Sequence, residues 1–270
     1  MIKITAPQEL QSLDNGNSFH GTLPVMKNSV ITFNGSSNIL FCDENVVLEN
    51  SKLQFNGSNS IIFLCGSKNA YQLDVSVFNN NAFYCGSDNY FNRVVNVVLS
   101  EEKHVFIGNN CLFSLGIWIR IADPHLIYSV DTHERINPTK SVYIGDHCWI
   151  GQSAMILKGT QMHSGSILGA MSLCSGKTIL SNESWGGNPA KKIAGGIFWD
   201  GACVHKWTSA ETEKYHNFIS DKFIFNYNKD DYLDFTLIDQ RLSQAKPSSE
   251  KLEFLLSIKS DSNKNRFALN

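Results

Sequence analysis

Of the eight histidines in this 270-residue chain, two share one stretch with two arginines: His125 and His133 lie between Arg120 and Tyr143, beside Arg120 and Arg135. An imidazole titrates close to neutral pH, so it can be unprotonated and still basic enough to take a hydroxyl proton. A guanidinium fork matches a carboxylate, although Arg120 and Arg135 are equally suited to holding their own stretch through Asp123, Asp131 or Glu134. Trp149 follows closely, and an indole can wall off water, stack on a ring, offer its N–H to a bound oxygen, or simply pack between subunits.

These residues sit against a regular background. Ile144, Ile150, Ile156, Met162, Leu168, Cys174 and Leu180 return every sixth residue, and Cys148, Ala154, Thr160, Ser166, Ser172 and Thr178 stand four places after successive members. A helical period would scatter these positions, whereas a short strand with a tight corner every six residues keeps the apolar row inward and the small residues inside the corners. Gly145, Gly151, Gly159, Gly165 and Gly169 supply the permissive backbone that corners demand. Ile107, Phe113 and Ile119 repeat the step in a less perfect copy. Three hexads make one turn of a triangular prism, an all-β solenoid in which each coil covers the next. The interruption from Arg120 to Tyr143 must then bulge outward from a corner as a loop. His147 and His163 fall at variable hexad positions, where exposure is expected.

Residues 1–100 repeat more loosely. Phe33-Asn34-Gly35-Ser36 recurs at Phe55-Asn56-Gly57-Ser58, and Phe63 to Asn69 recurs at Phe83 to Asn89. They read as irregular coils below the prism of residues 101–200, although the Asn-Gly pairs also fit hairpin turns. Residues 201–270 form a partly helical extension. Thr208 and Glu211 make a capping box, and Leu252, Leu255 and Leu256 take helical spacing after Pro247. The extension is expected to pack on a prism face or a neighbouring subunit, with Ser260 to Asn270 polar enough to be loose.

A net charge of −2 carries no basic excess to suggest nucleic acid or an anionic membrane. No segment approaches bilayer length and the start lacks an apolar signal core, so a cytoplasmic protein is expected. Seven cysteines without CxxC pairs read as reduced core thiols, with neither disulfides nor a metal site.

The hexads, Asp123-Pro124-His125, Ile144 to Gly151 and the Gly187-Asn188-Pro189-Ala190-Lys191 turn together resemble the hexapeptide-repeat acyltransferases of left-handed parallel β-helix fold. His125 to Ser129, Glu134 to Asn137 and the Trp199 segment are most similar to bacterial sialic acid or capsular polysaccharide O-acetyltransferases. The resemblance covers roughly residues 100–207 and supplies the handedness, which spacing does not. It implies acetyl-CoA as co-substrate, no metal, a homotrimer with sites between subunits, and a sialic-acid-containing surface polysaccharide as acceptor. The enzyme would be bacterial and cytoplasmic, or peripheral to a site of surface-glycan assembly.

By the same resemblance His125 is the general base, with His133 its competitor and Asp123 or Glu134 available to orient it. Trp149 shapes the pocket and the Gln152 backbone N–H faces the thioester carbonyl, leaving the glutamine side chain dispensable. Coenzyme A would run past Gly151, Ala170 and Ser175 to the turn at Lys191, with Lys192 available to share its phosphates. Ser175-Gly176-Lys177 departs from the family's commoner Thr-Lys pair, which leaves Lys177 one residue late for a phosphate. Arg120, Tyr128 and Arg135 are the candidate acceptor contacts. Rival readings are an acetyltransferase for a small sugar, nucleotide sugar or antibiotic, a γ-class carbonic anhydrase, whose histidine spacing this chain does not reproduce, and a non-catalytic solenoid scaffold.

Overall fold

The apolar row forms the inner wall of a three-sided prism. In the computed structural model, which describes residues 1–270, Ile144, Ile150, Ile156, Met162, Leu168 and Cys174 are fully buried, as are Ile107, Phe113 and Ile119. They belong to one core running from Ile4 to Ala190, so the loose and regular coils share a single interior.

The first face stacks eight strands, from Ile2–Ile4 through Trp118–Arg120 and Met155–Leu157 to Leu173–Cys174. The second runs from Ser18–Gly21 through Val142–Ile144 to Thr178–Ile179. The third includes Tyr90–Phe91, Leu112–Phe113, Trp149–Ile150 and Ile167–Leu168. Pairing between successive coils is parallel, and only the ends turn back: Ile2–Ile4 pairs antiparallel with Val30–Phe33, and Glu183–Gly186 with Lys191–Gly195. The Asn-Gly pairs therefore sit at corners and not in hairpins. Val30 stands opposite Lys52 and Lys52 opposite Asp74, a step of 22 residues, whereas Ile144 stands opposite Met162, a step of 18. The longer coils carry extra corner residues, many of them asparagines whose amides bond the next coil, as Asn34 and Asn56 do at 2.8 Å.

The row slips at its last member. Met162 stands opposite Ile179, and Ile179 rather than Leu180 is fully buried. The corner at Ser175-Gly176-Lys177 is one residue short, with Gly176 at φ +59°, and a one-residue shift in a strand exchanges its inward and outward side chains. Thr178 is exposed for the same reason.

Helices α1 (Ser209–Lys214), α2 (Phe235–Gln244) and α3 (Ser248–Ser260) follow the prism. The capping box is present on α1, yet α1 is a short, exposed helix. Helices α2 and α3 cover the outside of the second face, where Phe41, Phe63, Tyr84, Phe106 and Tyr143 pack against Phe235, Ile238, Leu242, Leu255 and Phe267. Ile61–Leu64 is accordingly buried on both sides, while Leu73–Val77 of the uncovered first face alternates. None of the helices is long and apolar enough to cross a membrane.

The expectation of a loose terminus is overturned, because Arg266, Phe267 and Ala268 are buried. Phe267 and Leu269 carbonyls accept from the Ser164 and Ser181 N–H groups at 3.1 and 2.8 Å. This cover also overturns the expected exposure of two histidines: His147 and His163 are 7% and 1% exposed. His163 Nδ1 donates to the Phe267 carbonyl at 3.2 Å, and Nε2 is buried with no partner. All seven cysteines are free, but Cys203 is exposed and is not a core thiol.

Burial pushes His163 down to about 4 and His104 to about 3. A histidine whose folded pKa lies below its unfolded value of about 6.5 contributes its full share above that value and loses it as pH falls toward the folded one. Each should therefore cost about 2 kcal/mol of stability between pH 7 and pH 5. Denaturant titration at the two pH values checks this. Wild type should lose more than His163→Gln, and equal losses would refute the His163 share.

Candidate active site

The interruption is a hairpin-like loop on the edge between the first and second faces, leaving after Arg120 and returning at Val142. Tyr128 bridges Arg135 in antiparallel fashion, and the Ile136 N–H donates to the Ile127 carbonyl at 2.9 Å. His133 lies near its tip at φ +58°, exposed. His125 is at its base, also exposed, and its ring makes no hydrogen bond within the chain. Neither Asp123 nor Glu134 orients it.

Asn137 organises this loop, a role that nothing in the sequence marks. Its Nδ2 donates to the His125 carbonyl at 2.8 Å and to Asp123 at 3.2 Å, while Oδ1 accepts from the Ile127 N–H at 3.0 Å and Arg135 Nε at 3.2 Å. The loop is pinned to the prism by Lys158 on Asp123 at 2.5 Å and by Arg135 forked onto Glu101 at 2.7 and 3.0 Å. The Arg135 guanidinium, then the Thr139 hydroxyl, hold the Glu101 carboxyl down to about 2. Arg135 thus holds the loop through a residue outside it. The Arg120 side chain makes no ion pair or hydrogen bond and is half-buried, on a strand residue set between Val98 and Leu157 on the first face. Tyr128 is exposed, among Leu126, Ile127, Val130 and Ile136, which are also exposed.

Trp149 and Gln152 occupy the third face and its edge with the first. Trp149 is 38% exposed, and its ring lies 6.0 Å from Trp199. Behind it, His147 is sandwiched at 4.0 Å by Trp199 and at 4.1 Å by Phe223, and its Nε2 donates to the Trp199 carbonyl at 3.1 Å. Burial lowers the His147 pKa. Gly151 to Ala154 form a turn closed by the Ala154 N–H on the Gly151 carbonyl, with Ser153 at φ +57°, a type II turn. The Gln152 N–H at its second position donates to no acceptor in the chain, and the Gln152 side chain is exposed. Beneath it the coils meet tightly, since a Cβ on Gly151 would lie 2.5 Å from the Ala170 nitrogen.

Ala170, Ser175 and Lys177 are exposed on coils further along the prism. The Gly187 to Lys191 turn is the tip of the terminal antiparallel pair. There Lys192 is engaged by Glu183 at 2.5 Å, while Lys191 is exposed and unpaired. His125 and the Trp149–Gln152 group stand at one level of the stack but on different edges. A six-residue face spans at most about 20 Å, and neither a hydrogen bond nor a stacking contact joins the two groups. Within one chain the two groups therefore lie apart.

No family model matches the chain. A polysialic acid O-acetyltransferase of Neisseria meningitidis is 43% identical over 63 residues, which are 23% of this chain and 29% of that relative. One of Escherichia coli O1:K1 is 28% identical over 102 residues, 38% of this chain and 33% of that one. The matched segments thus span about a third or less of these curated relatives. The crystal structure of the polySia-specific acetyltransferase NeuO superposes with a TM-score of 0.64 at 26% identity, covering 74% of this chain and 93% of that one. The prism is a left-handed parallel β-helix, and the chain resembles the hexapeptide-repeat acetyltransferases, polysialic acid O-acetyltransferases among them.

Proposed function

We propose that this chain is an acetyl-CoA-dependent O-acetyltransferase that modifies a hydroxyl of an acidic saccharide, a sialic-acid-containing surface polysaccharide, in a site completed between copies of a homotrimer. The observation that carries the reading is the pairing of a projecting His125 loop with a free Gln152 N–H on another edge at the same level, in a chain similar to polysialic acid O-acetyltransferases. A rotational neighbour would present its Trp149 edge to the first chain's loop. The exposed Leu126, Ile127, Tyr128 and Val130 give that loop apolar surface to bury there.

In this arrangement His125 takes the proton of the sugar hydroxyl as its oxygen bonds to the acetyl carbon. The Gln152 N–H donates to the carbonyl oxygen as it becomes an oxyanion, where a fixed donor is most effective. His125 then returns the proton to the departing coenzyme A sulfur, so no covalent enzyme intermediate forms. Trp149 walls off water. Gly151 lets the thioester arm lie flat on the coils, past Ala170 and Ser175, and Lys191 meets the phosphates. Lys177, on the shortened corner, and Lys192, held by Glu183, are less well placed for them. Arg120, the unpaired guanidinium of the loop region, meets the acceptor carboxylate, with Tyr128 beside it, while Arg135 shapes the loop. The enzyme works in the bacterial cytoplasm or peripheral to glycan assembly.

Coenzyme A release from acetyl-CoA with polysialic acid, free sialic acid and neutral glycans tests the reading. Release should be fastest with the acidic polymer and slower with free sialic acid, and Arg120→Ala should raise the KM for the polymer about tenfold, as loss of one charge-assisted contact would. Release with neutral sugars alone would refute the acidic acceptor, and none with any acceptor would refute the activity.

A further inference from the structure

A cleft of about 960 Å³ lies where the third face meets the C-terminal extension, lined by Tyr90, Asn92, Asn110, Trp199, Lys222 and Lys264 among others. It is at the upper end of the range for small-molecule sites, about 300–1,000 Å³, and so has room for an oligosaccharide segment. Its lining carries two carboxylates, both neutralised: Asp88 pairs with Lys68 at 3.0 Å, and Asp146 with Arg266 at 2.8 Å. Lys222 and Lys264 remain without ion pairs. Their amines lie 4.9 Å from the Phe223 ring centroid and 5.6 Å from that of Phe225, and Lys264 also donates to the Asp221 carbonyl at 2.8 Å. The unbalanced charge facing the cleft is positive.

The rest of the lining suits sugar rings. Tyr90 is 49% exposed and offers a flat aromatic face, and the side-chain amides of Asn92 and Asn110 have no partner in the chain, leaving donors and acceptors for hydroxyl or acylamino groups. The cleft adjoins the candidate reaction centre, since its lining residues Leu112 and Trp199 are the neighbours of Trp149. Tyr90, Leu112 and Trp149 stand opposite one another on successive coils, which puts Tyr90 about 10 Å from Trp149 along the prism. The candidate coenzyme A contacts lie on the other side of Trp149, toward Ala170 and Lys191. A single ring at Trp149 would not reach Tyr90, but its neighbours in a chain would.

We propose that this cleft is a second glycan subsite, which binds an anionic sugar unit of the acceptor chain away from the unit that reacts, with Lys222 and Lys264 on its carboxylates and Tyr90 under its ring. The inference rests on the acidic-glycan reading above, and it makes the protein selective for polymer over monomer.

Fluorescence anisotropy of a labelled sialic acid hexamer, with the full chain and no acetyl-CoA, tests it independently of turnover. Wild type and His125→Ala should bind alike, and Lys222→Gln/Lys264→Gln at least tenfold more weakly, with a steep salt dependence in wild type. Asn110→Asp, which sets a like charge against the ligand, should weaken binding too and serves as the second variant should the lysine pair be misfolded. In turnover the lysine variant should raise the polymer KM with kcat within twofold, and leave a monosaccharide acceptor unaffected. Unchanged hexamer binding in the lysine variant, equal competition by a neutral glucan hexamer, or displacement by coenzyme A would each overturn the subsite. Lysine-dependent binding without coenzyme A release would uphold the subsite and refute the transferase reading.

Discussion

On the proposed mechanism, His125→Ala should lower kcat for acetyl transfer by about 10²–10⁴-fold, the contribution of a positioned general base, and leave coenzyme A affinity unchanged. His133→Ala, at the loop tip, should stay near wild type. The partner half of the site is tested by Gln152→Pro, since proline is favoured at the second position of a type II turn and removes the N–H while keeping the turn. Its kcat should fall about 10²–10³-fold, as for loss of one oxyanion donor, whereas Gln152→Ala retains both N–H and turnover. Because His125 and Gln152 stand on different edges, the two inactive variants should complement when co-expressed. A site is intact when a Gln152→Pro copy lends its loop to a His125→Ala copy, which happens about one time in four on random mixing in a cyclic assembly. Mixed trimers with about a quarter of wild-type turnover would support the shared site. Turnover no higher than that of the separate variants would mean that each chain completes its own site, and an active His125→Ala would remove the base.

The prism was legible in the sequence because a hexad is a local rule: Ile144 to Cys174 can be counted without knowing what they touch. The slip to Ile179 was not, because it depends on a corner one residue shorter and shows only when Met162 is set against its partner coil. His147 and His163 occupy outward positions as the pattern requires, but their burial comes from Trp199, Phe223 and Phe267, which hexad spacing cannot bring near. The candidate site divides in the same way. The motifs around His125 and Trp149 were readable, whereas the Glu101 partner of Arg135 lies before the loop and the four-way role of Asn137 depends on the folded loop. In the sequence Arg266 reads as part of a polar tail, because its partner, Asp146, is distant.

That ion pair carries the largest expected effect on stability. Arg266 is 1% exposed, and it forks onto both Asp146 oxygens at 2.8 and 2.9 Å while donating to the Ile258 and Asp261 carbonyls at 3.1 and 2.7 Å. Asp146 Oδ1 also accepts the Asn109 N–H at 2.6 Å, so the pair ties the chain terminus to two coils of the prism. Arg266→Met leaves a buried carboxylate uncompensated, which costs about 3–5 kcal/mol, or roughly 10 °C in melting temperature for a chain of this size. Adding Asp146→Asn should recover much of the loss, because removing both charges also removes their desolvation cost. Denaturant titration of the single and double variants decides the matter, and a change under about 1 kcal/mol in Arg266→Met would show the pair to be dispensable. The same variant separates stability from function. Lys264 lies two residues before Arg266 and faces the cleft, so a terminus released from Asp146 should raise the polymer KM while His125, anchored by Asn137 on another edge, keeps its turnover of a monosaccharide acceptor.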